Sequence, residues 1–164
     1  MKILLVGPGL IEIPSKGWGA VETVIWQLKI HLEKLGCEVV ILNKKGLYSA
    51  IKAKPWEYDL VHLEYDDYAS LWNRLSKIFK FKLIITSHYG YAAWPHKWYC
   101  GRLGISGYKK IFSNLLKSPG LIVLSNEIKK TFDIKKYKGF IRVLPNGTEI
   151  DKINFINSPS KDII

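Results

Sequence analysis

Two glycines separated by one aromatic residue stand in Ile13-Pro14-Ser15-Lys16-Gly17-Trp18-Gly19-Ala20-Val21-Glu22, between an apolar run and a stretch of helical periodicity. Glycine lets a backbone approach a ligand closely, and the first turn of a helix presents N–H groups with no acceptor inside the helix. Gly17, Gly19, Ala20 and Glu22 therefore mark a place where main chain could hold an anion. Glu22 in that turn also favours the helix dipole and can steady the loop. A second chemical centre begins at His88, which ends another apolar run and leads into Tyr89-Gly90-Tyr91-Ala92-Ala93-Trp94-Pro95-His96-Lys97-Trp98-Tyr99, with Arg102 just beyond. Flat aromatic faces with polar edges suit sugar rings and bilayer interfaces. Tyr89, Tyr91, Trp94, His96, Trp98 and Arg102 thus read as a sugar-binding or membrane-facing loop, the plain alternative being a surface loop with half-buried tryptophans. On residue type alone, His88 could simply cap its strand by bonding its own backbone. His62, inside an apolar strand, reads as a satisfied buried histidine, and His31 as a surface residue. Asp66 and Asp67 have the look of a metal pair, but capping of the following helix accounts for them, and no metal is expected.

These residues need elements to place them. Val21, Val24, Ile25, Leu28, Leu32 and Leu35 recur every three or four positions, which predicts a helix stopped by Gly36. Apolar runs predict strands near 2–6, 38–42, 59–64, 82–86, 120–124 and 140–144. Between them lie helices carrying Leu71, Trp72, Leu75, Ile78 and Phe79, capped by Asp66 or Asp67, and Tyr108, Ile111, Phe112, Leu115 and Leu116, capped by Ser106. Alternating strands and helices imply a three-layer, Rossmann-like α/β domain with about six parallel strands. Right-handed crossovers favour the order 3-2-1-4-5-6 and a ligand crevice between strands 1 and 4. The glycine loop and His88 would then share one mouth. A simple dinucleotide-binding domain loses ground, because Gly7-Pro8-Gly9 is followed by Leu10, Ile11 and Glu12 with no third glycine.

The loop resembles the Gly-aromatic-Gly-Gly-x-Glu segment that opens the first helix in family 4 retaining glycosyltransferases of the two-domain GT-B type, with Ala20 in place of the second glycine. Three further segments follow in the same order: Asp59-Leu60-Val61-His62-Leu63-Glu64, Leu83-Ile84-Ile85-Thr86-Ser87-His88, and Leu121-Ile122-Val123-Leu124-Ser125 with Glu127 behind it. Arg142-Val143-Leu144-Pro145-Asn146-Gly147-Thr148-Glu149 resembles the turn that closes the family's first domain. The resemblance covers nearly the whole chain. It implies the acceptor-side domain of an enzyme that moves a sugar, hexosyltransferase fashion, from a nucleotide sugar to a glycan or glycolipid acceptor with retention. Gly17 and Gly19 would lend N–H groups near the diphosphate, and His88 would bond the donor sugar or organise the reacting hydroxyl. No protein nucleophile and no cofactor beyond the nucleotide sugar is implied, so positioning and charge stabilisation would carry the rate.

At 164 residues the chain is one domain of ordinary size, expected over 1–150 with a linker over 151–164. The family builds most of its donor site, including paired glutamates, in a carboxy-terminal domain, so that half is expected on the same or a separate chain. The apolar run at Ile3 is too short for a signal-peptide core, and no stretch reaches the roughly 18 residues needed to span a bilayer. Two cysteines, Cys37 and Cys100, form neither a metal spacing nor a disulfide framework, and Cys37 reads as core. A soluble cytoplasmic domain fits all of this. The net charge of +11 is concentrated: eleven Lys or Arg against Glu127 and Asp133 between Lys97 and Arg142. That face is a solvated surface or an attraction to anionic lipid at the membrane periphery. Nucleic acid is disfavoured, because no binding motif accompanies the charge. The competing function is a non-catalytic Rossmann-like module that docks on a membrane or protein through this basic face.

Overall fold

The computed structural model describes residues 1–88 and 104–147, the side chains of 104–108 apart. Six strands, β1 (Lys2–Val6), β2 (Glu38–Leu42), β3 (Leu60–Leu63), β4 (Leu83–Ser87), β5 (Gly120–Val123) and β6 (Phe140–Val143), form one sheet whose paired strands are all parallel. Each lies within one residue of the expected apolar run. Five helices connect them: α1 (Ala20–Lys34), α2 (Leu47–Lys52), α3 (Ala69–Phe79), α4 (Gly104–Leu115) and α5 (Asn126–Ile134).

The strand order is β2-β1-β3-β4-β5-β6, not 3-2-1-4-5-6. Strand β1 pairs with both β2 and β3, Ile3 lying opposite Val39 on one side and Leu60 on the other. Burial explains why. Val61 and Leu63 of β3 are wholly inaccessible, as an internal strand requires, whereas β2 alternates and leaves Glu38 and Val40 exposed, as an edge strand can. The point where the order reverses thus falls between β1 and β3, and β3 separates the glycine loop from β4.

Alternate residues of β1 divide the core. Ile3 and Leu5 pack with Ile25 of α1, while Leu4 and Val6 join a larger cluster built with Ala50 of α2, Trp72 and Leu75 of α3, Leu115 of α4 and Phe132 of α5. One helix therefore covers one face and four cover the other.

The helix ends follow local chemistry. Gly36 takes φ +81°, and the N–H groups of Gly36 and Cys37 donate back to Glu33 and Leu32, both at 3.0 Å, closing α1 in a Schellman turn. Ser125 caps α5, its hydroxyl accepting from Ile128 N–H at 3.2 Å. Four expectations need correction. Asp66 and Asp67 do not cap α3. They form a 3-10 turn, Asp66–Tyr68, which puts Tyr68 at the helix start, where no side chain caps the turn. Helix α4 begins at Gly104, ahead of Ser106. Leu35, Ile78 and Phe79 are exposed. Cys37 is only partly buried, against the α1-side cluster. The linker expected at 151–164 lies outside the described residues.

Candidate active site

The β1–α1 loop leaves the carboxyl end of β1 and is tied down from both sides. Asn43, one residue past β2, accepts from Gly9 N–H at 2.8 Å and donates to the Ile11 carbonyl at 2.7 Å. Tyr68 donates to the Pro8 carbonyl at 2.9 Å from beyond β3. The loop then enters α1 through Gly19, whose φ of +153° suits glycine and whose missing Cβ would sit 3.0 Å from Ser15 Cβ and 3.3 Å from Glu22 Oε2. No side chain caps this helix. Thr23 turns instead to the Gly19 carbonyl, donating from Oγ1 at 2.8 Å, so the leading N–H groups of α1 keep their donor capacity. Gly17 has open space around it, Ala20 and Trp18 are exposed, and Glu22 is buried. A groove of about 530 Å³ runs beside the loop, lined by Glu12, Ile13, Pro14, Ser15, Lys16, Ile41 and Asn43.

The second centre is made of side chains. His62 and Glu64 are two apart on and just beyond β3, and Thr86 and His88 are two apart on and just beyond β4. Period-two alternation sends all four to the sheet face that α1 shares. His88 Nε2 lies 2.7 Å from Glu64 Oε2, and His62 Nε2 lies 3.0 Å from Glu64 Oε1 and 2.7 Å from Thr86 Oγ1. The two histidine side chains are nearly closed off from solvent, as is the glutamate. Burial opposes the Glu64 charge. His62, His88 and Thr86 together outweigh it and hold the carboxyl below the usual carboxylate range. A carboxylate between two imidazoles accepts from both, so His88 is held with Nε2–H on Glu64, leaving Nδ1 as the ring's other polar atom.

Asp66 lies beside this group. It is 1% exposed, its Oδ2 accepts from Ser87 Oγ at 2.8 Å, and Oδ1 has no partner among the described residues. Burial raises its pKa to about 7, against the lowering pull of Ser87 and His88. Among the described residues no group of three or more His, Cys, Asp or Glu is arranged to hold a metal ion.

No protein-family model matches the chain, and no curated protein matches its sequence. Its fold has a solved counterpart. The chain is similar to Anabaena HepE, whose crystal structure contains UDP-glucose, with a TM-score of 0.57 and 15% identity over 92% of this chain. At that identity the shared property is the α/β fold. This chain spans 45% of HepE, under half of its length.

The glycine loop and His88 thus stand at the same end of the sheet, above β1 and above β4, with Glu64 of the intervening β3 between them. The aromatic segment, with Tyr89, Tyr91, Trp94, His96, Trp98 and Arg102, lies outside the described residues. His62 is buried and bonded and His31 is exposed. Glu64 and Thr86 are the residues that motif reading passed over. The signal was present, since His62-x-Glu64 and Thr86-x-His88 each put two polar groups on one strand face, but it becomes visible only once β3 and β4 are neighbours. Asp66, first read as a cap, is a buried acid. Among the described residues no helix is long and apolar enough to cross a membrane.

Proposed function

We propose that this chain is the acceptor-side domain of a retaining GT-B glycosyltransferase that takes its sugar from a nucleotide diphosphate donor. The observation that carries the reading is the buried Glu64–His88 pair at the carboxyl end of β4, 2.7 Å across, where the family resemblance places its sugar-facing histidine. Glu64 fixes the imidazole in one orientation, so His88 meets a sugar hydroxyl without paying for its own ordering. The uncapped start of α1 supplies the complementary half, main-chain donors for the diphosphate. The UDP-glucose held by HepE, which shares the fold, supports a uridine diphosphate sugar as the first donor to test. A carboxy-terminal partner domain supplies the rest of the donor site, and the segment 89–102 meets a glycan or lipid-linked acceptor on the cytoplasmic side of a membrane.

Calorimetric titration with UDP-glucose, UDP and GDP-mannose tests this. Micromolar binding that His88→Ala removes supports a donor-competent cleft. Absence of heat with every nucleotide removes this chain from donor binding, and equal heat in the variant removes His88 from it.

A further inference from the structure

We infer that the outer face of α2 and α3 is a docking surface for an anionic lipid bilayer. Both helices pack on the four-helix side of the sheet, Ala50 of α2 and Trp72 and Leu75 of α3 in one core cluster. Trp56, just past α2, stacks on Phe79, the last residue of α3, with ring centroids 4.6 Å apart, so the two outer faces join at that end. Large side chains stand out from this surface: Tyr48 is 77% exposed, Ile78 67%, Leu47 52%, Trp56 41%, Ile51 40% and Phe79 37%. Packing leaves them there with no burial to explain them.

Basic residues outnumber acids around them. Residues 46–54 contain two lysines and no acid, and residues 74–82 contain three lysines, one arginine and no acid. Among the described residues, Lys54 is the one member of this set in an ion pair, with Glu57 at 3.0 Å. Between α3 and α4 the surface dips into a groove of about 220 Å³ lined by Ser70, Asn73, Arg74, Lys77, Asn114 and Lys117, three of them cations that suit a phosphate headgroup.

This chemistry selects among occupants. A second copy would bring the same cations face to face. A neutral protein interface would want a continuous apolar patch, whereas here apolar and aromatic groups alternate with lysines whose stems can lie flat while their ammonium groups reach outward. That is the arrangement of an interfacial surface: aromatic residues at headgroup depth and cations on anionic lipid, each cation worth about fivefold in partitioning. The inference does not depend on the sugar-transfer reading.

Flotation of the 164-residue chain with vesicles of phosphatidylcholine, with and without 30 mol% phosphatidylglycerol, tests it. Binding is expected on the anionic vesicles and not on the neutral ones. Lys52→Glu with Lys77→Glu should lower partitioning at least thirtyfold, and Tyr48→Ser with Ile78→Ser about tenfold. Both pairs should keep the parent's circular dichroism. The inference is overturned if neither pair changes vesicle binding, if no vesicle binds, or if Trp94→Ala with Trp98→Ala alone abolishes binding. Self-association without vesicles, relieved by Tyr48→Ser with Ile78→Ser, would assign the face to a second copy and equally overturn it.

Discussion

The two centres at the carboxyl end of the sheet are built in opposite ways. In the β1–α1 loop the functional groups are main-chain N–H donors at an uncapped helix start, close to exposed residues. At β3 and β4 they are side chains, buried and bonded to one another. Donors left open are what an anion would need. A site that satisfies its members in advance is shaped to hold a ring still, and its stability depends on every member. The contrast predicts that substitutions in the cluster are read first in folding, and those in the loop first in binding.

The largest effect should come from Glu64→Ala, which leaves His62 and His88 buried without their shared acceptor. Each buried imidazole N–H left without an acceptor costs about 1–3 kcal/mol, and urea unfolding should show a loss of a few kcal/mol. Glu64→Gln, which keeps the shape and one acceptor, should cost less. A loss below about 1 kcal/mol for the alanine variant would mean that the cluster is solvated, and the contrast between the two centres would collapse.

Asp66 gives the next effect, through pH. Its folded-state pKa is raised to about 7 from 3.8, chiefly by burial. Between those values the folded chain binds the proton more tightly than the unfolded chain. The stabilisation is therefore complete below about pH 4, declines as pH rises, and is gone above about pH 7, a swing on the order of a few kcal/mol. Asp66→Asn should remove this slope and leave a variant at least as stable as the parent at pH 8. An unchanged slope in the variant would place the titrating group elsewhere.

How much of this was legible depended on whether the cause was local. The six strands, the Gly36 stop and the Ser125 cap follow from neighbouring residues, so periodicity and turn chemistry reveal them. Strand order does not. The apolar runs of β2 and β3 look alike, and which of them lies at the edge is settled by pairing across the sheet. That one difference decided whether Glu64 could be recognised, because its partner His88 is 24 residues away and meets it only when β3 lies beside β4. The same holds for Asp66: the short-range reading makes it a cap, and only tertiary burial makes it a titrating acid. The backbone turn at Gly19 was readable because its φ of +153° is set by geometry within a few positions.

Asn43 sharpens the loop side of the comparison. It bonds both Gly9 N–H and the Ile11 carbonyl, so Asn43→Ala should cost about 1–2 kcal/mol by losing two part-buried bonds. It should also weaken UDP-glucose binding, because the path into α1 loosens.

The smallest effects separate two glycines that the motif treats alike. Gly19 has φ +153° and a wall of Ser15 and Glu22 where a Cβ would go, so Gly19→Ala should cost about 1–2 kcal/mol. Gly17 has nothing within 4 Å of that position, so Gly17→Ala should stay within about 0.5 kcal/mol of the parent. Their effects on binding need not follow their effects on folding. If Gly17 is there so that a diphosphate can approach the backbone, Gly17→Ala should weaken UDP-glucose binding while thermal melting hardly moves, because the new methyl would occupy space that is open only in the free chain. If melting and binding are both unchanged, Gly17 is a flexible joint, and the anion-facing role narrows to Gly19 and the α1 N–H groups behind it.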